Sequence, residues 1–181
     1  MPGTSKLPRL VISAGEPAGI GPDLCLQLAD SLPHSHRPCQ LVVVADPELL
    51  RQRAEALRLP VKIAPFNPED RTPADRGTLL VSPVTMAFPA IPGTVNPANS
   101  PYVMKTLEYA VEGCLNGVFD GLVTAPVHKE VINKAGIPFN GHTEFLAHLA
   151  GVDEVVMMLA SPELRVVPAT IHIALSEVPA A

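Results

Sequence analysis

Short apolar runs alternate with amphipathic segments along most of the 181-residue chain. The apolar runs are continuous rather than alternating, and turn residues flank them. Such runs are typical of strands that are buried on both faces of a parallel sheet. They predict strands over residues 10–13, 40–45, 61–64, 78–81, 120–124, 154–160 and 164–173.

The segments between these runs predict helices. Leu24, Leu28 and Leu32 recur at helical spacing and predict the buried face of a first helix. A helix over residues 99–116 carries a similar apolar face that ends at Leu115. The other predicted helices cover residues 46–59, a short segment through 131–132, and residues 144–149 with Thr143 as the cap.

Strands and helices in alternation favour the α/β class with a largely parallel sheet. Near the end of the sequence, Ser176 to Pro179 has a serine, an acidic residue and a proline in the order that begins a helix. The sequence stops two residues later. This ending favours either a fragment in which an element is cut short or a short disordered tail.

Composition bears on which partners the protein binds and in which compartment we expect it. The formal charge is −5 and the pI is near 5.6, which excludes non-specific nucleic-acid binding and a basic membrane-surface protein. Neither a membrane span nor a secretory signal is visible. Three widely spaced cysteines favour free thiols in a reducing compartment. We therefore expect a cytoplasmic protein with no nucleic-acid and no membrane partner.

Two loops that follow predicted strands are candidates for chemistry. The loop from Gly15 to Pro22 leads into a helix, where backbone N–H groups can bind a phosphate or carboxylate. Its glycines are equally suited to tight packing without a ligand. In the second loop, Lys129 is suited to hold an anion and His128 to move a proton. The alternative for this loop is a solvated surface turn.

Histidines supply the other candidates. His142 and Thr143 follow a turn and offer hydrogen-bond donors for a phosphate or hydroxyl, although both residues are also suited to packing and capping alone. His148 is interpreted as a surface residue. His172 ends an apolar run, where a lone histidine is usually a core residue, and no metal-binding spacing surrounds it.

Five segments of the sequence occur together in one known family. They are SAGEPAGIGPD (13–23), VTAPVHKEVIN (123–133), GIPFNGHTEF (136–145), VVMMLA (155–160) and TIH (170–172). In this order and at about these spacings, the segments resemble the 4-hydroxythreonine-4-phosphate dehydrogenase family of vitamin B6 biosynthesis. The resemblance covers nearly the whole chain.

This resemblance implies a fold and a reaction. The fold is an isocitrate/isopropylmalate dehydrogenase-like α/β/α architecture with two domains. The reaction is oxidation of the C3 hydroxyl of 4-phosphooxy-L-threonine to a β-keto acid, which loses CO2 and gives 3-amino-2-oxopropyl phosphate. NAD or NADP accepts the hydride, and a divalent metal (Zn, Mg or Co) binds and polarises the hydroxyl.

The resemblance also implies roles for individual residues. His142 and Thr143 match the family's substrate-binding pair, and His172 matches the first of three metal-binding histidines. The role of His172 thus comes from the resemblance and not from its sequence context. Lys129 matches a recurrent lysine to which no role is assigned. The family's active site lies at a dimer interface, so a homodimer is expected at full length.

Family members are much longer than this chain. We therefore expect residues 1–181 to be the N-terminal portion of a two-domain dehydrogenase whose C-terminal portion is absent. The other two metal histidines have no counterpart here, and Ala174 stands where the family often has proline. The chain alone is expected to be inactive. The alternatives are a dehydrogenase of a phosphorylated four-carbon sugar acid or a cis-diol, and a non-catalytic fragment that binds an anionic metabolite.

Overall fold

A five-stranded parallel sheet is the centre of the computed structural model, which describes residues 7–31, 39–170 and 173–180. Its order is β3-β4-β2-β1-β5, and every neighbouring pair is parallel. All five strands lie where the sequence predicts them. They are β1 (Arg9–Ser13), β2 (Gln40–Ala45), β3 (Lys62–Pro65), β4 (Thr78–Pro83) and β5 (Gly121–Thr124).

Five helices flank this sheet in the described residues and give the expected α/β/α layers. They are α1 (Gly21–Ser31), α2 (Pro47–Ala56), α3 (Ser100–Leu115), α4 (Lys129–Lys134) and α5 (His142–Ala150). The first two pack against each other, whereas α3 contacts β1, β2 and β5 and is itself contacted by α5. Asp46, where the sequence predicts this helix to begin, caps α2, because its Oδ1 accepts the Glu48 N–H at 2.8 Å.

Strand alternation divides the core between the two faces of the sheet. Val42 and Val44 pack with Leu107 on the α3 face, while Val43 packs with Leu26 on the α1 face. All five side chains are fully buried. Because β2 is covered on both faces, its sequence is a continuous apolar run and not an alternating one.

At the amino end of the sheet, Arg9 is almost completely buried, with 1% of its surface exposed. Its guanidinium stacks over the Phe66 ring, 4.9 Å from the centroid. Each guanidinium nitrogen also donates to a protein oxygen. These hydrogen bonds offset the cost of removing the charged group from water. The acceptors are Gln40 Oε1 and the carbonyl oxygens of Val118, Pro68 and Asp70.

Beyond Gly151 the described chain packs far less closely. Residues 151–167 are all exposed, and only β6 (Leu159–Ala160) and β7 (Arg165–Val166) form strands, which pair antiparallel with each other. Within the described residues, the longer strands predicted over 154–160 and 164–173 are therefore wrong in extent, and residues 171 and 172 lie outside this part of the chain. These apolar residues have no sheet neighbour here, and an isolated hairpin is only marginally stable. A 3-10 helix covers Leu175–Ala180.

Two leucines predicted to be buried are exposed instead. Leu24 on α1 is 48% exposed and Leu115 on α3 is 62% exposed. Helix α1 buries Cys25, Leu26 and Ala29 instead of Leu24, and Leu32, which was predicted on the same face, lies outside the described residues. Both leucines lie beside β5, where the described sheet ends and offers them no further surface.

The expectation of free thiols agrees with the described residues. Cys25, Cys39 and Cys114 form no disulfide bond there. No helix in the same ranges combines the length and apolar character that crossing a membrane requires.

Candidate functional site

The loops that follow β1 and β5 meet at the carboxyl end of the sheet. The Glu16 N–H donates to the Pro126 carbonyl at 2.9 Å. Gly15 has a φ of 73°, and a Cβ at this position would overlap the same Pro126 oxygen. A Cβ at Gly21 would likewise overlap the Ala14 carbonyl oxygen. These glycines therefore allow two backbones to approach closely, which is the packing alternative for this loop.

Glu16 is buried at this junction. One carboxylate oxygen accepts the Ala18 N–H at 3.1 Å. Burial raises the pKa of Glu16, and this effect exceeds the lowering by that hydrogen bond and by His128. A carboxyl group with a raised pKa at the ligand-binding end of a parallel sheet is suited to proton transfer. Sequence reasoning did not identify Glu16, because burial of one glutamate in a turn-rich loop leaves no pattern.

In the second candidate loop, which follows β5, one of the two candidate residues caps a helix. His128 is the N-cap of α4, and its Nδ1 accepts the Val131 N–H at 3.4 Å. His128 and Lys129 are both exposed. Capping accounts for His128 without a ligand, whereas Lys129 remains in solvent at the carboxyl end of β5.

The turn before α5 holds His142 against the core. Asn133 fixes this turn through two hydrogen bonds to the backbone of Phe139, at 2.9 and 3.0 Å. Phe139 is buried in the cluster that contains Val84 and Tyr102, next to the carboxyl ends of β4 and β2. The His142 ring meets Phe139 edge-on, with the centroids 5.9 Å apart.

The imidazole of His142 has an unpaired nitrogen. Its Nε2 is buried and has no hydrogen-bond partner within the described ranges. Burial lowers the pKa of His142 from its ordinary 6.5, so the ring is neutral at pH 7. Leaving such an atom unpaired costs about 1–3 kcal/mol. A ligand oxygen that donates to or accepts from Nε2 would remove this cost.

Thr143 is the second residue of α5 and is exposed. The prediction that Thr143 caps this helix is wrong, because α5 begins at His142 and its N-cap is Gly141. Glycine has no side-chain oxygen with which to cap a helix. The Thr143 hydroxyl is therefore not used as a cap and stands beside His142. His148, farther along α5, is exposed as predicted.

Unpaired buried atoms collect at this end of the molecule. Besides His142 Nε2, they include Ser13 Oγ at the end of β1 and Asn99 Oδ1 immediately before α3. A fourth such atom in the described residues belongs to Arg53, whose other nitrogens bond to Asp23 and to the Gly19 carbonyl. Sequence reasoning missed Ser13 and Asn99, since neither stands out by its residue type.

The metal prediction falls outside the described structure. His172 is not among the described residues. Over 7–31, 39–170 and 173–180, no three His, Cys, Asp or Glu side chains come close enough together to hold a metal ion. These residues alone do not fit a metal centre, and the role of His172 remains a prediction.

A further cavity lies at the opposite end of the sheet. It has a volume of about 340 Å³, and Gln40, Lys62 and Thr78 at the starts of three strands contribute to its lining. Ligands of open parallel sheets bind at the carboxyl ends of the strands. We therefore place the candidate site at the turn that carries His142 and Thr143.

Comparison with known proteins gives consistent matches. Residues 37–181 match the family described as "Pyridoxal phosphate biosynthetic protein PdxA". The 4-hydroxythreonine-4-phosphate dehydrogenase of Serratia proteamaculans is 52% identical over 174 residues, which are 96% of this chain and 52% of that protein. The enzyme of the same name from Vibrio cholerae is 51% identical over 175 residues, again covering 96% and 52%.

Solved structures agree with these matches. A crystal structure of a 4-hydroxythreonine-4-phosphate dehydrogenase from Burkholderia phymatum has a TM-score of 0.84 at 30% identity, covering 94% of this chain and 52% of that one. The Klebsiella pneumoniae enzyme has a TM-score of 0.83 at 28% identity, covering 96% and 54%. A terephthalate 1,2-cis-dihydrodiol dehydrogenase from Burkholderia xenovorans shares the fold, with a TM-score of 0.71 at 22% identity.

The chain spans about half the length of the relatives that it matches. Within that span, the parallel sheet flanked by helices agrees with the fold of solved structures from the family expected from the sequence motifs. The chain belongs to the PdxA family of pyridoxal phosphate biosynthesis, whose relatives at about 50% identity are 4-hydroxythreonine-4-phosphate dehydrogenases.

Proposed function

We propose that this chain is the N-terminal portion of a two-domain dehydrogenase that oxidises 4-phosphooxy-L-threonine. Hydride leaves C3 of the substrate for NAD(P), and the C3 hydroxyl loses its proton. The β-keto acid then loses CO2 and gives 3-amino-2-oxopropyl phosphate. Support for this reaction comes from the relatives, since those at about 50% identity carry this activity in their names.

Within this reaction, His142 and Thr143 bind the substrate. The observation that carries this assignment is the buried, unpaired Nε2 of His142 beside the exposed Thr143. Because burial lowers the pKa of His142, the ring meets the substrate as a neutral hydrogen-bonding group and not as a cation. The core contact with Phe139 fixes the ring orientation, which reduces the entropy lost on binding.

The rest of the site lies outside the described residues. We propose His172 as one ligand of a divalent metal, with its remaining ligands supplied from beyond this chain. Because the described residues form no metal centre, no step is derived through a metal here. The full-length protein is proposed to act as a homodimer, and the 181-residue chain alone is expected to have no activity.

The test requires the missing half. The C-terminal half of the Serratia proteamaculans relative, fused after Ala181, gives a single polypeptide that we call the extended chain. We expect the extended chain to reduce NAD or NADP when 4-phosphooxy-L-threonine is added. His142→Ala should lower kcat/KM at least about tenfold, because one substrate hydrogen bond is lost.

A matched variant separates binding from helix stability. His148→Ala changes the same residue type on α5 at an exposed position, so its kcat/KM should stay within about twofold of the parent. Oxidation of a phosphorylated four-carbon sugar acid or a cis-diol, but not of 4-phosphooxy-L-threonine, would refute the proposed substrate. Turnover by the 181-residue chain alone would refute the expectation that it is inactive.

A further inference from the structure

We infer that Glu16 is a catalytic residue of the proposed reaction, in which its carboxylate accepts the proton that the C3 hydroxyl loses. The O–H bond of the substrate breaks as hydride leaves C3 for NAD(P), the C3 carbonyl forms, and the proton stays on Glu16 until it passes to solvent. This inference rests on the proposed function and deepens it by naming the group that receives the proton.

Glu16 lies where the connections of the sheet diverge. From β1 the chain passes through α1 to β2 on one side of β1, and from β4 it passes through α3 to β5 on the other side. Ligands of open α/β sheets bind in the crevice that forms at such a point, beyond the carboxyl ends of the strands. The Glu16 N–H donates to the Pro126 carbonyl at 2.9 Å, so Glu16 is at the junction of the two diverging loops.

Two further elements hold the loop that carries Glu16. Gly93, in the loop after β4, donates its N–H to the Ala18 carbonyl at 2.8 Å. Arg53 on α2 donates through Nη2 to the Gly19 carbonyl at 3.0 Å. The backbone around Glu16 is therefore fixed before a substrate binds, which is the preorganisation that a catalytic group requires.

A comparison with Asp46 shows that the Glu16 carboxylate is not fully used by the fold. The two residues are buried to a similar degree, with 6% of Glu16 and 8% of Asp46 exposed. Both oxygens of Asp46 accept backbone N–H groups, Oδ1 from Glu48 and Oδ2 from Met86, each at 2.8 Å. Within the described residues, the carboxylate of Glu16 accepts one N–H, that of Ala18, on Oε1. Its Oε2 is thus open to a ligand.

Tyr102 relates Glu16 to the turn that carries His142. Burial raises the pKa of Tyr102, and the negative charge of Glu16 adds to this effect, so the two groups are near each other. Tyr102 also packs in the same buried cluster as Phe139, and the His142 ring meets Phe139 edge-on. Glu16 and the proposed substrate-binding turn therefore adjoin one cluster at the carboxyl end of the sheet.

The surroundings of Glu16 strengthen its carboxylate as a base. Burial raises the pKa of Glu16, and this effect outweighs the lowering by a backbone hydrogen bond and by His128. A carboxylate whose pKa is closer to neutral pH accepts a proton more readily in the transition state. The titratable and charged groups on the surrounding elements are His128 before α4, Tyr102 on α3, and the ion pair of Arg53 on α2 with Asp23 on α1.

Kinetics of the extended chain test the catalytic role. Glu16→Gln should lower kcat at least about 100-fold and change KM less than about threefold, because the base acts in the chemical step. Glu16→Asp keeps a carboxylate and should have a kcat at least about tenfold above that of Glu16→Gln. Glu55→Gln makes the same change at an exposed position of α2, and its kcat should stay within about twofold of the parent.

The pH profile separates proton transfer from a structural role. The kcat/KM of the parent extended chain should fall as the pH is lowered through the pKa of Glu16, which lies above its ordinary 4.5. The protonated carboxyl group can no longer accept the substrate proton. The residual activity of Glu16→Gln should lack this decrease. The same decrease in Glu16→Gln would contradict the role of Glu16 as the base.

Stability of the 181-residue chain is measured independently of activity. Glu16→Gln keeps an oxygen for the Ala18 N–H, so its Tm should not fall by more than about 1 °C. Asp46→Asn places an amide nitrogen or leaves no acceptor at one of two occupied positions, so its Tm should fall by at least about 3 °C. Equal losses in the two variants would show that Glu16 is a structural carboxylate and would overturn the inference.

A carbon NMR titration of the same chain measures the pKa of the Glu16 carboxyl group directly. We expect a value above 4.5, because burial disfavours the charged form. A value at or below 4.5 would overturn the inference.

The outcomes distinguish this inference from the proposed function. If the parent extended chain does not oxidise 4-phosphooxy-L-threonine, the proposed function is refuted, and with it the role of Glu16 in that reaction. If the parent oxidises this substrate and Glu16→Gln keeps the same kcat, the inference alone is refuted.

Discussion

The two ends of the sheet are built differently. At the amino end, the Arg9 guanidinium is buried, donates to four oxygens and stacks on Phe66. At the carboxyl end, polar atoms of Ser13, Asn99 and His142 are buried without a partner within the described ranges. At the amino end, the chain itself supplies the hydrogen-bond partners of the buried polar groups. At the carboxyl end, buried polar groups are left without such partners.

This difference assigns the amino end of the sheet to stability and the carboxyl end to ligand binding. A completed buried network contributes to stability, and breaking it leaves several groups unpaired. Unpaired groups cost stability until a ligand or another part of the protein pairs with them. The cavity of about 340 Å³ at the amino end does not change this assignment, because ligands of open parallel sheets bind at the carboxyl ends of the strands.

The largest expected effect is at the amino end. Arg9→Met removes the donors to Gln40 and to three carbonyls, so the free energy of unfolding should fall by about 3–4 kcal/mol. Urea unfolding of the chain measures this change. Arg51→Met is the control: Arg51 pairs with Glu48 at an exposed position, and its removal should cost less than about 0.5 kcal/mol. Equal losses in the two variants would contradict the role of Arg9.

The second effect concerns the junction of two loops at the carboxyl end. Gly15 and Gly117 have nearly the same φ, 73° and 71°, but only a Cβ at Gly15 would overlap another backbone. Both alanine variants have a left-handed backbone strain of about 1 kcal/mol. Gly15→Ala should lose about 2 kcal/mol more, because the loops must move apart. If Gly117→Ala loses as much stability in urea unfolding, the close approach is not what requires glycine at position 15.

The smallest effect is the pH dependence contributed by His142. Its folded pKa is below 6.5 because of burial, so between that pKa and 6.5 the unfolded chain binds more protons. Protonation of His142 therefore does not lower the free energy of unfolding above about pH 6.5. The free energy of unfolding falls as the pH is lowered from 6.5 toward the folded pKa, and below that pKa His142 causes no further change. His142→Asn should reduce the loss of stability between about pH 7.5 and about pH 5.5, because the variant has no imidazole to protonate.

An NMR titration of the ring checks the same point. The pKa of His142 should lie below its ordinary 6.5, because burial of the ring disfavours the charged form. A pKa for His142 at or above 6.5 would contradict the burial of its ring.

The contrast between the ends was only partly predictable from the sequence. Continuous apolar runs gave all five strands of the sheet, because strands covered on both faces need apolar residues at every position. The motif that contains His142 and Thr143 gave the candidate site through resemblance. Arg9, by contrast, is one arginine before an apolar run, and nothing in the sequence shows that four acceptors converge on it.

The errors have a common physical cause. Leu24 and Leu115 were predicted to be buried, and strands were predicted over 154–160 and 164–173. Each prediction assumed a neighbouring surface that the described residues do not supply. Apolar periodicity shows which side chains favour burial, but it does not show which surface buries them. Thr143 was misassigned for a local reason, since Gly141, two residues earlier, is already the N-cap of the helix.

The most direct test compares one variant from each end in the extended chain. Unfolding free energy and kcat/KM for 4-phosphooxy-L-threonine are measured side by side for Arg9→Met and His142→Ala, with activity expressed per folded molecule. We expect Arg9→Met to lose stability and keep its activity, and His142→Ala to lose activity and keep its stability. Loss of activity per folded molecule in Arg9→Met, or full activity in His142→Ala, would contradict the assignment of structure to one end and substrate binding to the other.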